Sequence, residues 1–105
     1  MARVEAGGII RVNKLKIDLL RYQVAVGGHP LHLTPKEFRL LAFLAQNKGR
    51  TFTRDQIMEK VWGYDYEGNT KTVDVHIRWL RKKIEADPGH PRYIVTVRGI
   101  GYRFD

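Results

Sequence analysis

Basic side chains are concentrated in residues 71–83. Within this segment a single acid, Asp74, stands against five bases: Lys71, Arg78, Arg81, Lys82 and Lys83. Lys and Arg neutralise phosphate groups, so such a run on one side of a helix predicts contact with a polyanion. The whole chain of 105 residues carries a formal net charge of +8. This charge favours a nucleic acid, an acidic protein or an anionic membrane surface as the partner.

The spacing of apolar residues in this segment predicts a helix that is capped by Asn69 or Thr70 and runs to about Ala86. Its predicted core stripe, with spacings of four, three and four, consists of Val73, Ile77, Leu80 and Ile84. The opposite side carries Lys71, Arg78 and Lys82 together with Val75 and Trp79. Apolar tips set among cations suit a DNA major groove, which admits one helix and exposes thymine methyl groups. The pattern therefore favours double-stranded DNA over a helix face that is merely solvated.

Two shorter helices are expected to hold this basic helix in place. Residues 34–37 form a capping box, and the helix that they open is predicted to run to about Asn47. A second box at 53–56 predicts a short helix through Trp62. A polar, acidic loop at 64–69 then leads into the basic helix. A short helix, a compact loop and a basic helix follow one another in the order that a helix-loop-helix DNA reader requires.

Strand-forming segments flank the helices on both sides. Residues 9–33 contain short alternating runs that predict a small antiparallel sheet. Residues 93–104 contain two such runs joined by a Gly-rich turn, which predicts a terminal hairpin. Arg98 lies at its tip, and an Arg on a thin arm is suited to the negative potential of a minor groove.

The absence of Cys and Ser excludes several kinds of chemistry. Thiolate metal sites, Cys nucleophiles and Ser-His-Asp triads are all impossible in this chain. The four His residues do not cluster with carboxylates in sequence, so we predict no metal site, no cofactor and no enzymatic activity. No apolar run approaches the ~20 residues of a membrane span. We expect a cytoplasmic protein.

Three motifs resemble the OmpR/PhoB family, the output domains of bacterial two-component response regulators. They are Leu-Thr-Pro-Lys-Glu-Phe at 33–38, Thr-Val-Asp-Val-His-Ile-Arg at 72–78 and Thr-Val-Arg-Gly-Ile-Gly-Tyr-Arg-Phe at 96–104. The resemblance covers one domain at 9–105, and residues 1–8 are interpreted as a linker remnant.

The resemblance implies an α+β fold, the winged helix-turn-helix. It implies an N-terminal four-stranded antiparallel sheet at 9–33, three helices within 34–86 and a C-terminal hairpin wing at 93–104. The implied function is sequence-specific binding of double-stranded DNA in transcription control, with the third helix (70–86) in the major groove and Arg98 in the minor groove.

The helix pattern and the resemblance together give the residues expected to contact DNA. They are Trp62, Lys71, Thr72, Val75, His76, Arg78, Trp79, Arg81, Lys82, Thr96 and Arg98. Trp79 stands where several relatives place an Arg that reads a base, and a Trp cannot form the bidentate guanine contact of an Arg. We expect Trp79 to pack on a thymine methyl or a sugar; the alternative is a surface between domains.

The resemblance implies partners besides DNA. Relatives bind direct repeats as head-to-tail tandem dimers, and they carry an upstream receiver domain with a phosphorylatable Asp, for which this chain has no room. The loop between the second and third helices is expected to contact RNA polymerase through Tyr64, Asp65, Tyr66 and Glu67. The alternative for this loop is a solvated connector.

Two rival functions remain open at this point. A basic protein-interaction module would dock the cationic helix on an acidic partner. An RNA-binding role is less favoured, because the predicted sheet lacks the rows of exposed aromatic residues that RNA platforms use. The dependence of DNA binding on salt concentration distinguishes these functions.

Overall fold

A computed structural model describes residues 4–105. Its strands and helices follow one another as β1 (Val4–Glu5), β2 (Ile9–Val12), β3 (Leu15–Asp18), β4 (Gln23–Val26), β5 (His29–Leu31), α1 (Pro35–Gln46), β6 (Thr51–Thr53), α2 (Arg54–Ile57), a π-helical segment (Met58–Trp62), α3 (Lys71–Ile84), β7 (Ile94–Val97) and β8 (Gly101–Phe104). A sheet, three helices and a terminal hairpin form the predicted α+β winged-helix fold.

The N-terminal sheet is antiparallel throughout, with the strand order β1-β2-β3-β4-β5. Ile10, Ile17 and Val24 are register partners and all three are buried, so one face of the sheet supplies the core. The sheet has five strands rather than the predicted four, because Val4–Glu5 pairs with β2. That strand lies inside the segment interpreted as a linker, of which residues 1–3 fall outside the described part; the linker role stays a prediction.

The first capping box forms as predicted. The Thr34 hydroxyl accepts a bond from the Glu37 N–H at 3.2 Å, and the Glu37 carboxylate accepts one from the Thr34 N–H at 2.8 Å. Glu37 is only 1% exposed and also pairs with Lys83 Nζ at 2.7 Å. A buried carboxylate is tolerated when it is hydrogen bonded and paired with a cation, and here both partners reach Oε1 of Glu37. The box therefore begins α1 and also ties α1 to α3.

The second helix begins and ends where its sequence pattern predicts, but more than half of it is π-helical. Its capping box joins Thr53 and Gln56 as predicted, but only one α-helical turn, α2, follows before the π-helical segment. Gly63 then ends the helix at φ +97°, a conformation that favours glycine. The strand β6 just before the box was not predicted. It pairs with β8 and so joins the helices to the wing.

The third helix has the core stripe that the sequence predicts. Val73, Ile77, Leu80 and Ile84 are all 2% exposed or less. The helix ends at Ile84, two residues before the expected Ala86, because the backbone of Glu85 is extended. The buried Glu85 carboxylate accepts the backbone N–H groups of Arg92, Tyr93 and Ile94, and so fixes the start of β7 against the end of α3.

The wing hairpin is part of a three-stranded sheet with the order β6-β8-β7. A Cβ at Gly101 would lie 2.0 Å from the Phe52 carbonyl oxygen, so only glycine allows β8 to approach β6 this closely. Phe104 is fully buried beneath the hairpin and Tyr102 is almost so. The wing is therefore anchored in the core at its base and free at its tip.

Candidate nucleic-acid interface

The outward side of α3 carries exposed cations and exposed apolar groups together. We call Lys71, Val75, Arg78, Trp79 and Lys82 the α3 surface. All five side chains are exposed. Val75 is 41% and Trp79 45% exposed, so the predicted apolar insertion into a cationic face is confirmed. Large apolar side chains in solvent beside cations indicate a contact surface rather than a solvated face.

A row of aromatic rings runs from the loop to this surface. The rings of Tyr66 and Trp62 are 6.3 Å apart, Trp62 and His76 are 5.0 Å apart, and His76 and Trp79 are also 5.0 Å apart. Lys36 Nζ lies 5.6 Å from the centre of the Trp62 ring, a cation–π contact that adds a positive charge from α1. The packing of the row fixes the directions of Trp62 and Trp79.

The His76 ring is oriented by a bond within α3. Its Nδ1 lies 2.7 Å from the Thr72 carbonyl oxygen, one helical turn earlier, and 3.4 Å from the Thr72 hydroxyl. With Trp62 on one side and Trp79 on the other, the imidazole has little freedom to turn.

Arg81 connects α3 to the wing. Its Nε donates to the Ile94 carbonyl at 3.0 Å, and its second guanidinium nitrogen donates to the Thr96 hydroxyl at 2.8 Å. Burial lowers the pKa of Arg81, although the nearby Tyr102 and Glu85 act in the opposite direction. Two of the residues expected to contact DNA, Arg81 and Thr96, are therefore hydrogen bonded to each other. Two of the guanidinium nitrogens of Arg81 are used to hold the wing.

A second connection lies at the N-terminal end of α3. Asp74 Oδ1 accepts from Arg54 Nε and from the Tyr102 hydroxyl, both at 2.6 Å. The hydrogen bond to Asp74 raises the pKa of Arg54. Burial, followed by the bond to Asp74, raises the pKa of Tyr102. The guanidinium carbons of Arg54 and Arg81 lie 5.3 and 5.6 Å from the Tyr102 ring centre, so helix and wing share one rigid base.

The wing tip is exposed, as its sequence predicts. Ile100 N–H closes a turn on the Val97 carbonyl at 3.0 Å, and Gly99 takes a φ of +76° within it. Arg98 is exposed at this tip, and Ile100 is 51% exposed beside it. The tip thus has the same combination of a cation and an apolar group as the α3 surface.

The loop at 64–67 is a second exposed aromatic feature of opposite charge. Tyr64 is 85% and Tyr66 42% exposed, and Asp65 and Glu67 are exposed between and beside them. The Tyr64 hydroxyl donates to Glu59, and this bond raises the pKa of Tyr64. A carboxylate-rich tip of this kind repels a phosphate backbone.

Sequence reasoning missed two residues that support the interface. Lys36 was interpreted only as part of a capping box, although its place in the first turn of α1 brings it over Trp62. Arg54 opens α2 and reaches across to α3. Neither contact has a signal in the local sequence, because each joins elements that lie 20 or more residues apart in the chain. Among residues 4–105 no group of three metal-ligating side chains occurs, and no helix is long and apolar enough to cross a bilayer.

The fold and this surface together define a winged-helix domain whose third helix has a basic outward side. The family described as "Transcriptional regulatory protein, C terminal" matches residues 28–104. The chain belongs to this family, and its resemblance to the OmpR/PhoB response regulators is confirmed.

Two curated relatives are similar to almost the whole of this chain. The sensory transduction protein RegX3 of Mycobacterium leprae is 49% identical over 98 residues, which is 93% of this chain and 50% of that protein. The alkaline phosphatase synthesis transcriptional regulatory protein SphR of Synechococcus elongatus is 48% identical over 94% of this chain and 38% of its own length. The chain thus spans half or less of the length of these relatives.

Two solved structures have the same fold. The response regulator DrrB of Thermotoga maritima, an OmpR/PhoB homologue, superposes with a TM-score of 0.87 at 41% identity, over 92% of this chain and 44% of that one. The RstA DNA-binding domain of Klebsiella pneumoniae, solved in complex with the RstA box, has a TM-score of 0.82 at 36% identity, over 91% of this chain and 95% of that one.

Proposed function

We propose that this domain binds duplex DNA sequence-specifically, with α3 in the major groove and the wing in the adjacent minor groove. The observation that carries the proposal is the α3 surface, where Val75 and Trp79 stand in solvent among three cations. The proposed control of transcription follows from membership of the family.

The proposed contacts divide into two kinds. Lys71, Arg78 and Lys82 neutralise phosphates along the groove, which gives affinity without sequence information. Val75 and Trp79 project between them, where apolar tips contact thymine methyl groups or sugars. Thr72 faces the same groove, and the indole N–H of Trp62 donates to a phosphate.

The wing contributes through its tip and its base. Arg98 at the tip enters the minor groove, where the negative potential is strongest in narrow, A·T-rich stretches. Arg81 and Thr96 hold the hairpin at a fixed distance from α3. Because α3 and the wing are held together in this way, one domain binds about one half-site.

The loop at 64–67 is proposed to contact RNA polymerase. Its two carboxylates and two exposed tyrosines favour a protein partner over a phosphate backbone. Head-to-tail tandem binding to direct repeats, and control by an upstream receiver domain, are proposed by analogy with the family alone. Comparing binding to one repeat and to two repeats a helical turn apart tests the tandem arrangement.

The experiment that tests DNA binding is a salt titration on a duplex selected from a random-sequence pool. With roughly five to seven phosphate contacts, log affinity is expected to fall against log salt with a slope of about −5 to −6. The selected duplex must also bind at least ~1000-fold more tightly than a scrambled one. Equal affinity for the selected duplex, a scrambled duplex and another polyanion such as heparin would contradict sequence-specific reading. Tight binding of polyglutamate instead of DNA would support the alternative, a module that docks an acidic protein.

A further inference from the structure

We propose that His76 binds a backbone phosphate only as the imidazolium, so that DNA binding takes up a proton at this residue. This inference rests on the proposed DNA-binding function and deepens it, because it assigns the charge state of one contact. It starts from the bond between His76 Nδ1 and the Thr72 carbonyl oxygen, 2.7 Å long.

That bond fixes which ring nitrogen carries hydrogen. A carbonyl oxygen only accepts hydrogen bonds, so Nδ1 must be the donor whether the ring is neutral or charged. In the neutral ring the other nitrogen, Nε2, then carries a lone pair and no hydrogen. The helix backbone thus assigns the tautomer of His76 before any ligand arrives.

The free nitrogen is open to a ligand. Within residues 4–105, His76 forms hydrogen bonds only through Nδ1, and no buried side-chain nitrogen or oxygen lacks a partner. Nε2 is therefore reached by solvent. His76 also lies between the α3 surface residues Val75 and Trp79 on one side and Trp62 on the other, so a duplex on that surface comes within its reach.

Phosphate oxygens only accept hydrogen bonds. A neutral His76 with this tautomer would point a lone pair at the phosphate, which is repulsive, whereas the imidazolium would donate Nε2–H to it with the added strength of opposite charges. A proton is therefore taken from solvent as the contact forms, and the new N–H bond is made at Nε2.

The surroundings of the ring contain no group that competes with the phosphate. From the π-helical segment the neighbour is the Trp62 indole, and from α3 the neighbours are Thr72 and Trp79. The ionisable groups around the row are Lys36 on α1 over Trp62, Tyr66 in the loop, and Lys71 and Arg78 on α3. Among the described residues no carboxylate is hydrogen bonded to His76.

The sign of the pH dependence follows from the direction of proton uptake. A contact that takes up a proton is favoured by a higher proton concentration. Affinity for DNA is therefore highest at the acid end of a pH series and falls as the pH rises. Each pKa unit by which DNA favours the imidazolium gives about a tenfold change in affinity.

The test is fluorescence anisotropy with the whole chain and a labelled duplex selected from a random-sequence pool, at constant ionic strength from about pH 6 to about pH 8. The expected result is binding about three- to tenfold tighter at the acid end. His76→Gln should remove this dependence while binding DNA at every pH, because its amide donates without being protonated. His90→Gln is the matched control and should keep the dependence, since His90 pairs with Asp87 in the exposed turn after α3.

Calorimetry in buffers of different ionisation enthalpy gives an independent count of the protons taken up. A fraction of a proton per domain is expected for the wild-type chain near neutral pH and none for His76→Gln. Binding that is flat with pH would overturn the inference and leave the proposed function standing. Binding that strengthens as the pH rises would also overturn the inference. In that case the unprotonated Nε2 would be accepting a hydrogen bond from a nucleobase. Failure to bind any selected duplex at any pH would overturn both.

Discussion

The α3 surface and the loop at 64–67 both hold aromatic side chains in solvent, but in opposite electrostatic surroundings. Trp79 is 45% exposed among cations, whereas Tyr64 is 85% exposed beside Asp65 and Glu67. Exposed aromatic groups mark a contact surface in either case. The local charge then selects the partner: cations favour phosphate, and carboxylates exclude it. The contrast is consistent with the two contacts proposed above, DNA for the α3 surface and a protein for the loop.

Reversing charges on the α3 surface should have the largest effect on DNA binding. In Arg78→Glu combined with Lys82→Glu, two phosphate contacts are lost and two repulsions are added, so affinity for a selected duplex should fall by at least ~100-fold. Both side chains are exposed, and the free energy of unfolding should change by less than about 1 kcal/mol. Anisotropy and urea unfolding measure the two quantities.

The matched control for that variant is Lys14→Glu combined with Arg39→Glu. It makes the same change in net charge at two exposed positions away from α3. The loss for the control should be several-fold at most, because it acts only through the overall field of the protein. Equal losses for the two double variants would mean that net charge, and not the α3 surface, governs binding.

Replacing Glu37, which is buried and paired with Lys83 of α3, should lower the stability of the fold and leave DNA binding almost unchanged. Burial works against ionisation of Glu37, but the hydrogen bonds from Lys83 and Thr34 outweigh it and hold the pKa of Glu37 below its usual value. A lowered pKa gives stability that is present above the usual carboxyl value, near ~4.3, and lost as the pH falls through the lowered value. Glu37→Gln should therefore unfold about 1–2 kcal/mol more easily at neutral pH.

The pH dependence of this deficit is the check on its cause. Urea unfolding at about pH 3 should show a smaller difference between Glu37→Gln and the wild type than at neutral pH. A deficit of the same size at both pH values would mean that shape, and not charge, makes Glu37 stabilising. The folded variant should bind the selected duplex within about twofold of the wild type, since Glu37 lies beneath α3 and not on it.

Removing the exposed indole should have a moderate effect on DNA binding. Trp79→Ala should weaken binding by about five- to tenfold and change the base preference at the contacted position, because an apolar contact with a thymine methyl or sugar is lost. Leu20→Ala is a fitting control, as it shortens a side chain that is 71% exposed in the turn before β4. Unchanged affinity and preference for Trp79→Ala would place this residue on a surface between domains.

Neutralising the loop should have the smallest effect on DNA. Asp65→Asn combined with Glu67→Gln should leave affinity for the selected duplex within about twofold of the wild type, since neither side chain is among the proposed DNA contacts. Transcription by RNA polymerase from a template carrying the selected site should nevertheless fall several-fold. Normal transcription would reduce the loop to a solvated connector.

Local signals in the sequence were sufficient for most of the fold. The Thr34 and Thr53 capping boxes, the core stripe of α3 and the turn at Gly99 each depend on residues within one or two turns of one another, and all of them form. The strand β6 was missed because three residues gain strand geometry only by pairing with β8, some 50 positions later. The strand β1 was missed for a different reason: its two residues are too few to show an alternating pattern, and they extend a sheet that exists without them.

Some features of the candidate interface could likewise be predicted from the local sequence, and others could not. Helical spacing alone predicted that Val75 and Trp79 are exposed on the cationic side. The spacing could not predict that Arg81 bonds to Ile94 and Thr96, because a long side chain goes where distant partners offer acceptors. The orientation of His76 lies between these cases, since its partner Thr72 is only four residues away but its aromatic neighbour Trp62 is not.

A crystal structure of the domain on a selected duplex tests most directly whether the outward side of α3 lies along DNA. The account predicts Val75 and Trp79 against base edges or sugars in the major groove, Arg78 and Lys82 within hydrogen-bond distance of phosphates, and Tyr64 turned away from the duplex. A complex in which α3 faces solvent while another surface of the domain holds the duplex would contradict it.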